Sequence, residues 1–169
     1  MAVARNIIKN MTVSVDGRGY AGNVDEYTPP QLNLATEEYR AGGMDAPVTL
    51  DMGMEALETS FVLSAYDADV LRQFGIAEGE KVPFVGRGAM ESYDGTITPV
   101  RHVMRGKITG IDRGTWTPGT KATMTITMRL DYYREEHDGS TIHEIDIENM
   151  VRTVNGTDYM AEIRTALGI

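Results

Sequence analysis

"KATMTITMRLDYYRE", residues 121–135, decides how the chain is to be read. Met124, Ile126, Met128, Leu130 and Tyr132 fall on one side of a two-residue repeat, and Thr123, Thr125, Thr127, Arg129 and Asp131 on the other. That period predicts a long antiparallel strand with one face buried. Working outward, "RHVMRGKITGID" (101–112) and "LETSFVLSAY" (57–66) read as further strands, rich in Val, Ile, Thr and Phe. "MTVSVDGRGYAGNV" (11–24) reads as a hairpin around Asp16-Gly17, with Asp94-Gly95 and Asp138-Gly139 as two more hairpin turns. "GTWTPGTKA" (114–122) is a loop before the long strand.

Two helices interrupt this pattern. In "YDADVLRQFG" (66–75), Asp67 is a natural N-cap, Val70, Leu71 and Phe74 form an apolar stripe, and Gly75 ends the helix. In "GTDYMAEIRTALGI" (156–169), Thr157 caps, Met160, Ile163 and Leu167 share a face, and Gly168 terminates. The expected fold is mainly β: a sandwich or barrel of roughly seven or eight strands, with one packed helix and a short C-terminal one. It is a single domain, 1–169.

Composition excludes several functions. The chain has 169 residues, a hydrophobic fraction of 41%, a charged fraction of 24% and a net charge of −9. A domain of that length buries about 68–70% of its unfolded surface. The acidic balance argues against an outer surface that grips phosphates. With no cysteine, disulfides, thiolate nucleophiles and cysteine zinc sites drop out. The N-terminus has no signal-peptide core, and no run approaches the ~18 apolar residues of a membrane span. A soluble cytoplasmic protein is expected.

Apparent motifs carry little chemistry. "GRGYAG" places Gly17, Gly19 and Gly22 in dinucleotide-binding spacing, but that fingerprint needs a helix next. Pro29-Pro30 in "NVDEYTPPQLNL" (23–34) forbids one, so these are hairpin glycines. His137 and His143 flank the Asp138-Gly139 turn and read as exposed hairpin histidines, because Glu144 points to the other face and a metal needs a third ligand. Ser14, Ser60, Ser64 and Ser92 lie in no nucleophile-elbow turn. "EIDIENM" (144–150) puts Glu144, Asp146 and Glu148 on one strand face, opposite Ile145 and Ile147, most simply as a solvated face.

"EYRAGGMDAPVTLDMGME" (38–55) is the odd stretch. Gly42-Gly43 separate two strand-like runs, and Met44, Met52 and Met54 are hard to bury within one small sandwich. We expect residues 39–55 to be an extended arm laid on a neighbouring molecule, with the glycines as its bend.

The run 39–58, with "VMRGKITGIDRGTWTPGTKA" (103–122), "DYYR" (131–134), "EIDIENM" and the C-terminal "VNGTDYMAEIRTALGI" (154–169), closely resembles the major tail tube proteins of contractile phage tails and R-type pyocins. The resemblance covers essentially the whole chain in order. It implies a structural subunit with no enzymatic activity and no cofactor. Such subunits form hexameric rings whose inner sheets join into one continuous β-barrel, and the rings stack into a tube. The implied partners are further copies, the tail sheath protein, the tape-measure protein and the baseplate. DNA is a transient lumen cargo in a phage and ions pass in a pyocin, with no stable membrane binding. The implied location is the virion tail or pyocin particle.

On that reading Tyr39, Arg40, Gly42, Gly43, Met44, Met52 and Met54 belong to the subunit interface. Asp131, Glu144, Asp146 and Glu148 are the acids expected at the lumen, where negative charge would let DNA slide. Two alternatives stand beside it. One is a type VI-like tube carrying effectors. The other is a ligand-binding or hydrolytic β-barrel using His143, Glu144 and Asp146.

Overall fold

The computed structural model describes residues 3–169. Its elements run β1 (Ile7–Val15), β2 (Arg18–Gly19), β3 (Val24–Thr28), β4 (Leu34–Tyr39), β5 (Val48–Met54), β6 (Leu57–Leu63), α1 (Ala68–Arg72), β7 (Val82–Glu91), β8 (Ile97–Asp112), β9 (Met124–His137), β10 (Ser140–Asp146), β11 (Val151–Val154), β12 (Thr157–Asp158) and α2 (Ala161–Leu167). The mainly β expectation holds, with more and shorter strands than seven or eight.

One sheet of ten strands contains everything except β4 and β5, which pair with each other. Its long path is β12-β11-β10-β9-β8-β7-β1-β2. At β9 the sheet forks. β8 follows one edge of β9 for most of its length, while the other edge is shared: β6 pairs with Met124–Leu130 and β10 with Tyr132–His137. β3 joins the outer side of β6 and comes back alongside β1 with no ladder between them, so the sheet curls without closing. The turns at Asp16-Gly17 and Asp138-Gly139 are two-residue hairpin loops, joining Val15 to Arg18 and His137 to Ser140.

The alternation of the 121–135 stretch holds to Leu130 and then slips. Met124, Ile126, Met128 and Leu130 are buried, but the next core residue is Tyr133, not Tyr132. The cause is a β-bulge. Gly106 sits opposite Leu130 and Arg105 opposite Tyr132, so Asp131 has no partner on β8. Its carbonyl accepts instead from the Ile147 amide at 3.0 Å. A one-residue slip turns every later side chain to the other face. At the same level the backbones of β8 and β9 nearly touch. An added Cβ on Gly106 would fall 1.9 Å from the Arg129 carbonyl oxygen, which no side chain can occupy.

The core lies between the fork and the curled β3–β6 pair. Phe61 stacks on Phe84 at 4.8 Å, and Leu57, Leu63, Val13, Val82, Met104 and Ile126 close round them. α1 forms as its signals predict: the Asp67 carboxylate accepts from the Asp69 amide at 2.7 Å, and Val70 is buried. Phe74, expected on the buried stripe, stays 52% exposed because the helix ends at Arg72. At α2 the expected Thr157 cap is absent. Thr157 and Asp158 are drawn into β12, and the Asp158 side chain accepts from the Met160 amide at 2.9 Å. Gly168 ends the helix in the left-handed conformation as expected.

Gly106→Ala is therefore expected to lower stability by about 3 kcal/mol, at the upper end of overpacking costs. Gly110→Ala, whose added Cβ would meet only Thr127 at 3.7 Å, serves as the control and should change stability by less than about 1 kcal/mol. Urea unfolding of the two variants measures the difference, and equal stabilities would contradict the close approach at the bulge.

Candidate assembly surface

Residues 34–54 form a hairpin, in which the arm expected for 39–55 supplies the tip and the second strand. Tyr39 lies opposite Val48, Glu38 opposite Thr49, Glu37 opposite Leu50 and Thr36 opposite Asp51. The arm's backbone partners are thus supplied by its own chain, from a strand that starts before the expected arm. Strand alternation sorts the side chains into two faces. Thr36, Glu38, Thr49 and Asp51 lie on one. Tyr39, Val48, Leu50 and Met52 lie on the other with Glu37, and these four apolar side chains are 53%, 45%, 43% and 59% exposed.

The polar face is tied home. Arg152 on β11 meets Asp51 at 2.8 Å, and this bond holds the Asp51 carboxyl below the usual aspartate range. The Glu55 amide donates to the Asn33 carbonyl at 2.9 Å at the hairpin's root. These bonds tie the hairpin at its root, and beyond them both of its faces are exposed, the apolar one included. A lone two-stranded hairpin is marginal in water, so this face wants a cover.

The three methionines separate. Met52 lies on the uncovered face. Met44 belongs to the hairpin's own tip: its amide donates to the Ala41 carbonyl at 3.2 Å, its sulfur accepts from the Ala41 amide at 3.3 Å, and Arg40 Nε donates to its carbonyl at 3.2 Å. Gly43 takes a positive φ of 90° at the third position of that turn, which gives the glycine pair its reason. Met54 packs on the subunit's own core. It borders a cavity of about 430 Å³ at the hairpin root, lined also by Leu57, Ile145, Ile147, Val151 and Met160.

The expected lumen acids are scattered. Glu144 and Asp146 lie on the sheet face turned from the core, as do Arg87, Arg101, Arg105 and Arg134 on the neighbouring strands. Arg101 pairs with Glu136 at 3.4 Å; Arg134 Nε lies 2.9 Å from the same carboxylate, without hydrogen-bond alignment. The Arg105 guanidinium covers the Tyr132 ring at 4.4 Å, and the Tyr132 hydroxyl donates to Glu144 at 2.8 Å. Asp131 sits at the bulge and Glu148 in the turn after β10, not on the strand face read from the sequence. Lys81 meets Asp131 at 3.6 Å and Glu148 at 2.5 Å, and its bond to Glu148 holds the ammonium above the usual lysine range. The charge of −9 is not concentrated on this face.

The other motifs resolve simply. Gly17 and Gly19 belong to the β1–β2 hairpin and Gly22 to the loop after it, and the strand β3 follows where a nucleotide fold needs a helix. His143 faces the core side of β10 and Glu144 the opposite side, so the expected set His143, Glu144 and Asp146 does not converge. The histidines are not plain surface groups either: His137 and His143 both reach Glu135, which their spacing around the turn could have revealed. Among the described residues no group of three or more His, Asp or Glu side chains is placed to hold a metal ion. Among the described residues no helix is long and apolar enough to cross a membrane.

Comparison with known proteins gives findings of three kinds. The family model described as phage tail tube protein FII matches residues 5–168. The chain is 32% identical to the tail tube protein of Escherichia phage P2, with all of both chains covered. It is 31% identical to the major tail tube protein of Serratia phage KSP20, covering all of this chain and 99% of that one. In fold it is similar to the sheath/tube terminator of an extracellular contractile injection system, with a TM-score of 0.57 at 13% identity over 75% of this chain and 93% of the other. The sheath–tube complex of that system gives a TM-score of 0.56, also at 13% identity, over 75% and 88%.

If Asp51 anchors the hairpin, Arg152→Ala should leave the thermal midpoint of the body unchanged and speed limited proteolysis within residues 34–54 several-fold. Cleavage at the wild-type rate would show that the hairpin is held by other contacts.

Proposed function

Because the chain belongs to the phage tail tube protein FII family, we propose that it is the structural subunit of the inner tube of a contractile tail, assembled as hexameric rings that stack into a conduit. The observation that carries this reading is the uncovered apolar face of the β4–β5 hairpin, which a neighbouring subunit buries. Tyr39, Val48, Leu50 and Met52 make the contact, while Arg40, Gly42, Gly43 and Met44 shape the tip that enters it. Met54 serves its own core.

The sheet supports ring closure. Along Ile7–Thr12, β1 pairs with β7 on one side only, and at the far end β12 covers just Thr153–Val154 of β11. Two open edges on one sheet invite pairing between copies, and closing a ring removes both. The outward sheet face then lines the channel, with Glu144 and Asp146 set among arginines. A wall of matched charges offers a passing polyanion no continuous grip. The tube is non-enzymatic and belongs to the virion tail, with the sheath protein outside it, the baseplate at its tip, and the tape-measure protein and DNA as its cargo.

Leu50→Glu and Met52→Asp place charge on the proposed contact and leave the core untouched. Both variants should keep the wild-type circular dichroism and thermal midpoint, yet yield no rings or tubes by negative-stain electron microscopy. Tubes at the wild-type yield would show that the hairpin face is not the contact; loss of the folded monomer would show that it belongs to the subunit's own stability.

A further inference from the structure

All three histidines of the chain meet at one carboxylate. Glu135 stands on the core side of β9, near the turn into β10, with its side chain 19% exposed. His137 Nε2 lies 2.8 Å from Glu135 Oε1 and His143 Nδ1 3.0 Å from Oε2, while His102 Nε2 is 3.8 Å from Oε1. The Tyr133 hydroxyl donates to Oε2 at 3.2 Å. On the far side of His102, the Tyr27 hydroxyl lies 2.9 Å from Nδ1. The cluster therefore joins β3, β8, β9 and β10. Among the described residues every ion pair of Glu135 is to a histidine, with no lysine or arginine in the set.

This arrangement is satisfied with the imidazoles neutral. Glu135 accepts and His137 and His143 donate. In the His102 tautomer that carries its proton on Nε2, Nδ1 accepts from Tyr27 and the Nε2 proton faces Glu135. One added proton makes an ion pair. A second and a third crowd like charges around a single half-buried carboxylate, and their repulsion grows. We propose that the cluster is a proton-sensitive latch, which at neutral pH ties the turn end of the β9–β10 hairpin to β8 and β3 and lets go as the imidazoles charge.

The titration runs in the same direction. Burial holds the His102 imidazole below the usual histidine range, against the pull of Glu135. Burial raises the Glu135 carboxyl, but the hydrogen bonds from His143 and His137 outweigh it and hold the group below the usual glutamate range. Both folded values lie under the unfolded ones. Each contribution is therefore complete at neutral pH and lost on acidification, from about pH 6.5 downward for His102 and below about pH 4.5 for Glu135. The cluster adds to backbone bonds that already hold this end: the β8–β9 ladder reaches Val100–His137, the Asp138 amide donates to the Pro99 carbonyl, and the Asn155 amide donates to the Ile142 carbonyl, while a bulge between Thr141 and His143 interrupts the β9–β10 ladder.

Amide hydrogen exchange on the whole chain at pH 7.5 and pH 5.0, corrected for intrinsic rates, tests the latch. Protection across residues 136–143 should fall at least tenfold at the lower pH while residues 57–63 and 124–130 keep theirs. The double variant His137→Gln, His143→Gln keeps donors that cannot charge and should lose no more than about threefold. Should it fail to fold, His143→Gln alone should show at most half the wild-type response on a logarithmic scale. An undiminished acid response in the variants, a uniform loss over all strands, or no loss in the wild type would overturn the proposal.

Discussion

The close approach of β8 and β9 at Gly106, with Asp131 bulged out beside it, is the constraint on which the rest of the subunit depends. Before that point the even-numbered side chains of β9 fill the core under β6. After it the odd-numbered Tyr133 and Glu135 do, and the free edge of β9 passes to β10. One slipped residue lets a single strand serve two arrangements: a curled, core-filling half with β3 and β6, and a flatter half that runs out through β10 and β11. The first half holds the subunit together. The second presents a broad sheet with open edges.

Much of this was legible in the residues, and the failures have physical causes. Local signals read well where a turn or cap stands alone: Asp16-Gly17, Asp138-Gly139, the Asp67 cap and Gly168 are all found in place. Alternation read well as far as Leu130. It failed at Tyr132 because a bulge is set by the partner strand, through Gly106, and leaves no mark in the period of the bulged strand itself. Thr157 failed as a cap because pairing with Val154 took it first.

The 39–55 segment, expected as an extended arm bent at Gly42-Gly43, is bent there, and the structure adds a strand before it that the expected bounds left out. Its partner strand, 34–39, has only Leu34, Ala35 and Tyr39 as apolar residues, and its charged face hides the pairing. What alternation within the hairpin does show, once the register is known, is an apolar face whose polar counterpart is fastened to its own body by Arg152. His102's place in the cluster at Glu135 was invisible for a different reason: it comes from β8, and only the sheet register brings it to the Glu135–His137–His143 turn.

Charge gives a similar lesson. A total of −9 invites the picture of an acidic surface, yet the sheet face turned from the core carries four arginines beside Glu136, Glu144 and Asp146. The total says nothing of how charge is distributed over a two-faced sheet. A cryo-electron microscopy reconstruction of the assembled protein tests whether the hairpin face is the contact between subunits. Tyr39, Val48, Leu50 and Met52 should lose nearly all of their exposed surface against a neighbouring subunit. A tube in which that hairpin face stays open to solvent, with the rings joined through other surfaces, would contradict it.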